Sequence, residues 1–332
     1  MVGKRIRTRW ILKILLIVFL PILALTYFIY SNDAPIIHGK IAYNIEFKKD
    51  RTLDIYFPTQ TVFEKSPVLL FLHGGAWITG RKETVNNNRF NVAFNKLRNT
   101  GYTIISPEYT LAEDEHSPFP DCIIDGYDAL EWVKQHSDSL NIQMNHIGIM
   151  GESAGGHIAM MMAFTSPSDF GLNYENNNFD FIIDVYGPSE LNDLYNSATS
   201  DTINAYLEKL PPILHDKLDV AKLIFGFDPK KDSSRAKEFS DKFSPLCYLD
   251  KGEAPVLMIH GNADQVVPLD QSKTLKRKLD SLNIEHELRI LENVNHGFIG
   301  ATDVQKNDIQ NWIVSFVIRH NHLLNNSISI SQ

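Results

Sequence analysis

"HIGIMGESAGGHIAM", His146–Met160, changes character in its middle. The run "IGIM" is apolar on both sides, as in a strand covered on both faces, whereas "HIAMMMAF" after it is apolar in the manner of a buried helix. Between them, Gly151-Glu152-Ser153-Ala154-Gly155 fits G-x-S-x-G, in which glycines clear room for a serine on a strained strand-to-helix turn. The pentapeptide alone also suits a small residue in a crowded connection. The strand before it and the helix after it favour a nucleophile, and the helix would aim the partial positive charge of its amino end at an oxyanion.

Outward from this stretch the chain alternates. "KIAYNIEF" and "TLDIYFP" read as two antiparallel strands around the turn "KKDR". Short apolar runs follow at "PVLLFLHGG", "GYTIISPEY", "HIGIMGES", "DFIIDVYGP", "PVLMIHGN" and "HELRILEN". Helical patterns lie between, among them "DCIIDGYDALEWVKQ", with Ile123, Tyr127 and Leu130 on one stripe, and "DVQKNDIQNWIVSFVIRH", with Ile309, Trp312, Ile313, Phe316 and Val317. Such alternation predicts an α/β fold with a mostly parallel sheet flanked by helices. From about Glu190 to Lys242 the rhythm breaks into polar, helix-prone sequence, expected to be a helical cap inserted over the carboxyl edge of the sheet.

With 332 residues, 43% hydrophobic and 22% charged, the chain can bury a full core. The formal charge is −8, and the first thirteen residues hold five bases and no acid, so the remainder carries 27 bases against 40 acids, or −13. That acidic body excludes nucleic acid as an expected partner. Only two cysteines occur, without zinc spacing, and they are expected to be buried free thiols unless the domain is exported and they pair.

Behind the basic residues, Ile14–Tyr30 is an uncharged, mostly apolar stretch of about the 17–25 residues that cross a bilayer as a helix. Residues 1–32 are therefore expected to be a cytoplasmic basic segment and transmembrane signal anchor. The domain beyond would be extracytoplasmic on a single-pass cell-membrane protein, with secretion after signal cleavage as the alternative. The polar tail is 321–332.

Three more stretches carry chemistry. In "LLFLHGGAW", Leu69–Trp77, a buried strand ends in residues too small to block a substrate, so the N–H groups of Gly75 and Ala76, with that of Ala154, are candidate oxyanion donors. His73 reads as a structural hydrogen-bonding residue rather than a base. In "VLMIHGNADQVVP", Val256–Pro268, Asp264 follows a buried strand, where a carboxylate could hold an imidazole in one tautomer. In "LENVNHGF", His296 sits between the last strand and the last long helix and suits proton transfer. Ser153, Asp264 and His296 occur in the chain order of α/β-hydrolase triads. Gly74, Trp77 and Glu152 are candidate substrate-pocket residues; for Trp77 the alternative is packing, and for Glu152 it is a brace between loops or a solvated acid.

The motifs "HGGAW" at 73–77, "SPFPDCIIDGYDALEWV" at 117–133, "GESAGGH" at 151–157, "HGNADQVVP" at 260–268 and "NHGF" at 295–298 resemble the α/β-hydrolase esterases and lipases. The likeness is to the hormone-sensitive-lipase-like group and its bacterial acetylxylan and feruloyl esterase-like branch, over roughly Ile37–His320. It implies an eight-stranded, mainly parallel sheet over 36–320, no metal and no organic cofactor. It also implies hydrolysis, through an acyl-enzyme, of short-acyl carboxylic esters such as acetyl esters of carbohydrates or xenobiotics. Ala76 stands where many lipase-like members carry a third glycine, which moves the match toward "HGGxW" carboxylesterases and formamidases. The same machinery would serve an arylformamidase or peptidase. A non-catalytic adhesion module on this fold is the reading of a different class, although such modules usually lose a triad member. The small-molecule ester is the one expected soluble partner, and the oligomeric state is left open.

Overall fold

The structure, a computed structural model, describes residues 39–321 apart from 88, 114–115, 177, 197–219 and 251. Each stretch read above as a strand overlaps one: β1 Ile41–Lys48, β2 Arg51–Tyr56, β3 Ser66–Leu72, β4 Thr103–Pro107, β5 Ile142–Glu152, β6 Phe181–Val185, β7 Val256–Gly261 and β8 His286–Leu291. They form one eight-stranded sheet in the order β1-β2-β4-β3-β5-β6-β7-β8. Both pairings of β2 are antiparallel, and from β4 to β8 every pairing is parallel.

The longer helices are α1 Asn91–Asn99, α2 Asp121–Gln135, α3 Ala154–Phe164, α4 Ser233–Lys242, α5 Asp270–Leu282 and α6 Asp303–Arg319. They cover both faces of the sheet, which is why the central strands are apolar at every position. Val68, Leu70 and Leu72 of β3 pack with Ile123, Tyr127 and Leu130 of α2 and Ile158 of α3. The intervening Leu69 and Phe71 pack with Phe94 of α1 and Ile309, Ile313 and Phe316 of α6. Full burial of one such side chain is worth about 1.5–3 kcal/mol, so losing a single layer of helices would leave half of each central strand without its stabilising partner. At the edge, β1 has two register shifts against β2 and a left-handed residue, Asn44, which limits further strand pairing.

The predicted helical stripes face the core, with Ile309, Ile313, Phe316 and Val317 buried and Trp312 partly buried at the edge. Two expectations are corrected. Both cysteines are free thiols, but only Cys122 is buried; Cys247 is exposed at the end of the turn Pro245–Cys247, where Pro245 faces inward instead. The single-pass membrane placement is also withdrawn. Among the described residues no helix is long and apolar enough to cross a membrane. The 17-residue α6 carries Asp303, Lys306, Asp308 and Arg319 and is half-solvated, while a span needs about 20 mostly apolar residues. Ile14–Tyr30 lies outside the described residues.

Candidate active site

In a parallel sheet the carboxyl ends of all strands share one rim, where connecting loops collect. Ser153 follows β5, Asp264 follows β7, His296 follows β8, and the His73–Trp77 loop follows β3. The parallel register therefore brings together four segments far apart in the chain.

Ser153 has φ 52° and ψ −121°, a conformation sparsely populated by residues with a Cβ. The glycines around it have a spatial cause. A Cβ on Gly151 would lie 2.1 Å from the Gly155 carbonyl oxygen, and one on Gly155 would lie 2.1 Å from that of Leu72. The turn is thus wedged between its own helix and β3. Ser153 N–H donates to the Val185 carbonyl at 2.9 Å, anchoring the strained residue to β6.

His296 bridges the other two side chains: Nε2 is 3.0 Å from Ser153 Oγ, and Nδ1 is 2.7 Å from Asp264 Oδ2. The side chain of Asp264 is fully buried, and its Oδ1 accepts from the N–H groups of Val266 and Val267 at 2.8 and 2.9 Å. Burial pushes the carboxyl pKa up, but hydrogen bonding from His260 and His296, with their charge interactions, outweighs it and holds the group well below the usual carboxylate range. An ionised Asp264 accepts only, so Nδ1 carries the imidazole proton and Nε2 is left to accept from the serine hydroxyl.

The loop after β3 is strained over three successive residues, with positive φ at Gly75 (133°), Ala76 (53°) and Trp77 (57°). A Cβ on Gly75 would lie 1.9 Å from the Thr79 carbonyl oxygen, so glycine is needed for space as well as for φ. The Gly75 carbonyl accepts from the N–H groups of Ile78 and Thr79, both at 3.0 Å, which closes the turn. Gly74 lies against Glu152, whose Cγ and carbonyl oxygen would both sit 3.2 Å from a Cβ there. At the start of α3 the Ala154 N–H has no acceptor within its own helix. The loop that carries Gly75 and Ala76 thus lies beside the Ser153 turn, through Gly74 against Glu152 and His73 against Gly155.

His73 is buried, its Nδ1 is 2.8 Å from the Gly74 carbonyl oxygen and its ring stacks on Tyr109 at 4.2 Å, which fits the structural reading. Trp77 packs edge-on to His157 and against Phe119 and is 4% exposed, as the packing alternative expects. Glu152 is not a solvated acid: it is buried, with Oε2 accepting from Arg89 Nη1 at 2.5 Å and from the Tyr186 hydroxyl at 2.8 Å, as a brace would be. Tyr186, Arg89, His260 and Asn295 were not singled out from sequence. His260 is buried with Nε2 3.5 Å from Asp264 Oδ2, and Asn295 Oδ1 accepts from His296 N–H at 2.7 Å and Gln265 N–H at 2.9 Å, tying the acid loop to the histidine loop. The one sequence signal was that His260 and Asn295 lie within the motifs "HGNADQVVP" and "NHGF".

An eight-stranded, mostly parallel sheet with a serine on a strained elbow after β5 and a histidine–aspartate pair at the same rim defines the α/β-hydrolase class. The BD-FAE family model matches residues 53–279, and the chain belongs to that family. Over 74% of its length the chain is 24% identical to "Esterase LipC" of Mycobacterium tuberculosis (strain ATCC 25618 / H37Rv), covering 56% of that protein. It is 27% identical to "Probable carboxylic ester hydrolase LipM" of the same organism, again over 74% of this chain and covering 51% of the relative. The chain thus spans little more than half the length of these relatives. Among solved structures it is similar to a truncated carbohydrate esterase from gut microbiota, with a TM-score of 0.66 and 21% identity over 86% of this chain and 99% of that one. An arylesterase gives a TM-score of 0.64 at 19% identity over 89% and 90%. At these identities the structural likeness is one of fold.

Proposed function

We propose that this chain is a serine-dependent carboxylic ester hydrolase acting on small or short-acyl esters, with Ser153 as nucleophile, His296 as general base and acid, and Asp264 orienting His296. The observation that carries this is the continuous relay from Asp264 Oδ2 to His296 Nδ1 at 2.7 Å and from His296 Nε2 to Ser153 Oγ at 3.0 Å. Ser153 Oγ attacks the ester carbonyl as His296 takes its proton, and the Gly75, Ala76 and Ala154 N–H groups hold the oxyanion. His296 then gives the proton to the departing alkoxide. Water, deprotonated by the same imidazole, cleaves the acyl-enzyme and restores the serine.

The printed names of the relatives, esterase and carboxylic ester hydrolase, support ester cleavage, and the carbohydrate esterase among the similar folds supports esters of carbohydrates as a substrate class. We read the region of about 190–242 as a cap inserted in a hydrolase domain spanning 36–320. Its described parts, Leu191–Asn196, Val220–Phe225 and Ser233–Lys242, are helical and contain no strand.

The test is hydrolysis of p-nitrophenyl esters from acetyl to palmitoyl and of acetylated sugars, alongside labelling by a fluorophosphonate. Acetyl turnover should exceed palmitoyl, and Ser153→Ala should lose turnover by at least about 10³-fold together with labelling. Undiminished hydrolysis in Ser153→Ala would overturn the assignment.

A further inference from the structure

Tyr186 stands one residue beyond the end of β6 with φ 42°, a left-handed conformation that is costly for an aromatic residue. Its side chain is buried, and burial pushes the phenol well above its usual range, so the hydroxyl stays a donor. The ring lies 4.7 Å from the His296 ring at an interplanar angle of 59°, and 4.9 Å from Phe298 in the same loop. At its far end the hydroxyl donates to Glu152 Oε2 at 2.8 Å, and Arg89 Nη1 bonds both Glu152 and the Tyr186 oxygen. Arg89 also reaches the histidine loop: a Cβ on Gly297 would sit 3.5 Å from its Nη2. Glu152 immediately precedes Ser153, so a cluster of buried Tyr186 and Glu152 with the partly exposed Arg89 joins the nucleophile's strand to the imidazole ring.

We infer that Tyr186 is a positioning residue for His296, and that Glu152 and Arg89 act through it by holding the phenol in place. This rests on the reading of His296 as general base. The imidazole needs its plane fixed to span Ser153 and Asp264 at once. Asp264 constrains it through one nitrogen only, whereas the Tyr186 ring, tilted at 59° against it with centroids 4.7 Å apart, blocks part of the remaining swing about Cβ–Cγ. Strain at φ 42° is then explained, because the backbone must turn to bring the aromatic ring against the imidazole. The geometry needs no contact of Tyr186 with substrate, so its removal should move kcat and leave KM in place.

The experiment uses the full chain and the variants Tyr186→Phe, Glu152→Leu, Glu152→Gln and the double variant Tyr186→Phe/Glu152→Leu. Rates are expressed per fluorophosphonate-titrated site, so misfolded protein does not count. Tyr186→Phe and Glu152→Leu should each lower kcat about 5- to 20-fold with KM within about twofold. Glu152→Gln, which keeps an acceptor for the phenol, should recover most of that loss. The double variant should be no slower than the worse single one, since both cut the same link. Multiplicative losses, a change carried by KM, or an unaltered kcat in Tyr186→Phe would overturn the inference. If the unaltered chain neither hydrolyses esters nor labels, the functional reading fails, and the seat is judged by the low-field proton resonance of the His296 Nδ1–H. Its broadening or loss in Tyr186→Phe supports the seat, and an unchanged line refutes it.

Discussion

Gly155 of α3 and Leu72 of β3 approach so closely that a methyl group on the glycine would lie 2.1 Å from the leucine carbonyl oxygen and 2.4 Å from that of His73. This contact holds the nucleophile's turn against the loop that carries Gly75 and Ala76. Gly155→Ala must therefore part a strand from a helix. Overpacking of this kind costs about 1–3 kcal/mol, and the upper end is expected here because both neighbours are backbone. Gly171→Ala is the control: nothing lies within 4 Å of its Cβ, although its φ of 74° adds some strain. Thermal melts should place Gly155→Ala well below Gly171→Ala, and equal melting temperatures would show that the turn has slack.

Asp264→Asn should cost far more activity than stability. The Asn Oδ1 can still accept from the N–H groups of Val266 and Val267, which bond Oδ1 of the native carboxylate at 2.8 and 2.9 Å. Its amide then faces His296 as a donor, so Nδ1 must accept and the ring proton moves to Nε2, the atom that has to take the serine proton. A kcat lower by about 10⁴-fold with the fold intact is expected. Steady-state kinetics with circular dichroism checks it, and a loss under tenfold would sink the tautomer argument.

Asp184 of β6 is buried, with Oδ1 accepting from Gly187 N–H at 2.9 Å and Oδ2 without a partner. Burial pushes its pKa from 3.8 up to about 7, against the pull of His260 and the Gly187 hydrogen bond. A folded-state value above the unfolded one means the native protein holds this proton more tightly. The associated stability is whole below about pH 4 and is lost as pH rises through about 7. Asp184→Asn carries no ionisable proton and escapes that loss. Relative to the unaltered chain, its melting temperature should be higher at pH 8 than at pH 4.5 by about 5 °C or more. A difference independent of pH would refute the buried titration.

The two thiols should separate kinetically. Cys247 is exposed and Cys122 is buried in the core, and burial pushes both thiols up, Cys122 far more. Under native conditions a thiol-reactive chromogenic disulfide should modify one equivalent, with the second reacting only on unfolding. Cys247→Ser should abolish the first phase, and two fast equivalents would contradict the packing of α2.

The strands were legible in sequence because a sheet covered on both faces demands apolar runs, and the ends of α2 and α6 were legible from their stripes. So was the turn at Ser153, since two glycines, a serine and a change of periodicity are local features. Asp264 and His296 were legible as residue types in order at strand ends. Glu152 and Trp77 were not resolved between their alternatives, because a carboxylate or an indole has the same sequence signature in a pocket, in a brace or in the core.

Sequence alone therefore determined the alternation of elements and the chemistry waiting at the rim, both consequences of local pattern. Only the tertiary structure decided that Tyr186 packs against His296, that Arg89 closes on Glu152, and that His260 backs Asp264 from β7. Glu152 pairs in register with Val185 across β5 and β6, which puts Tyr186 beside it. Register is a property of two strands packed together, and no spacing within either one encodes it.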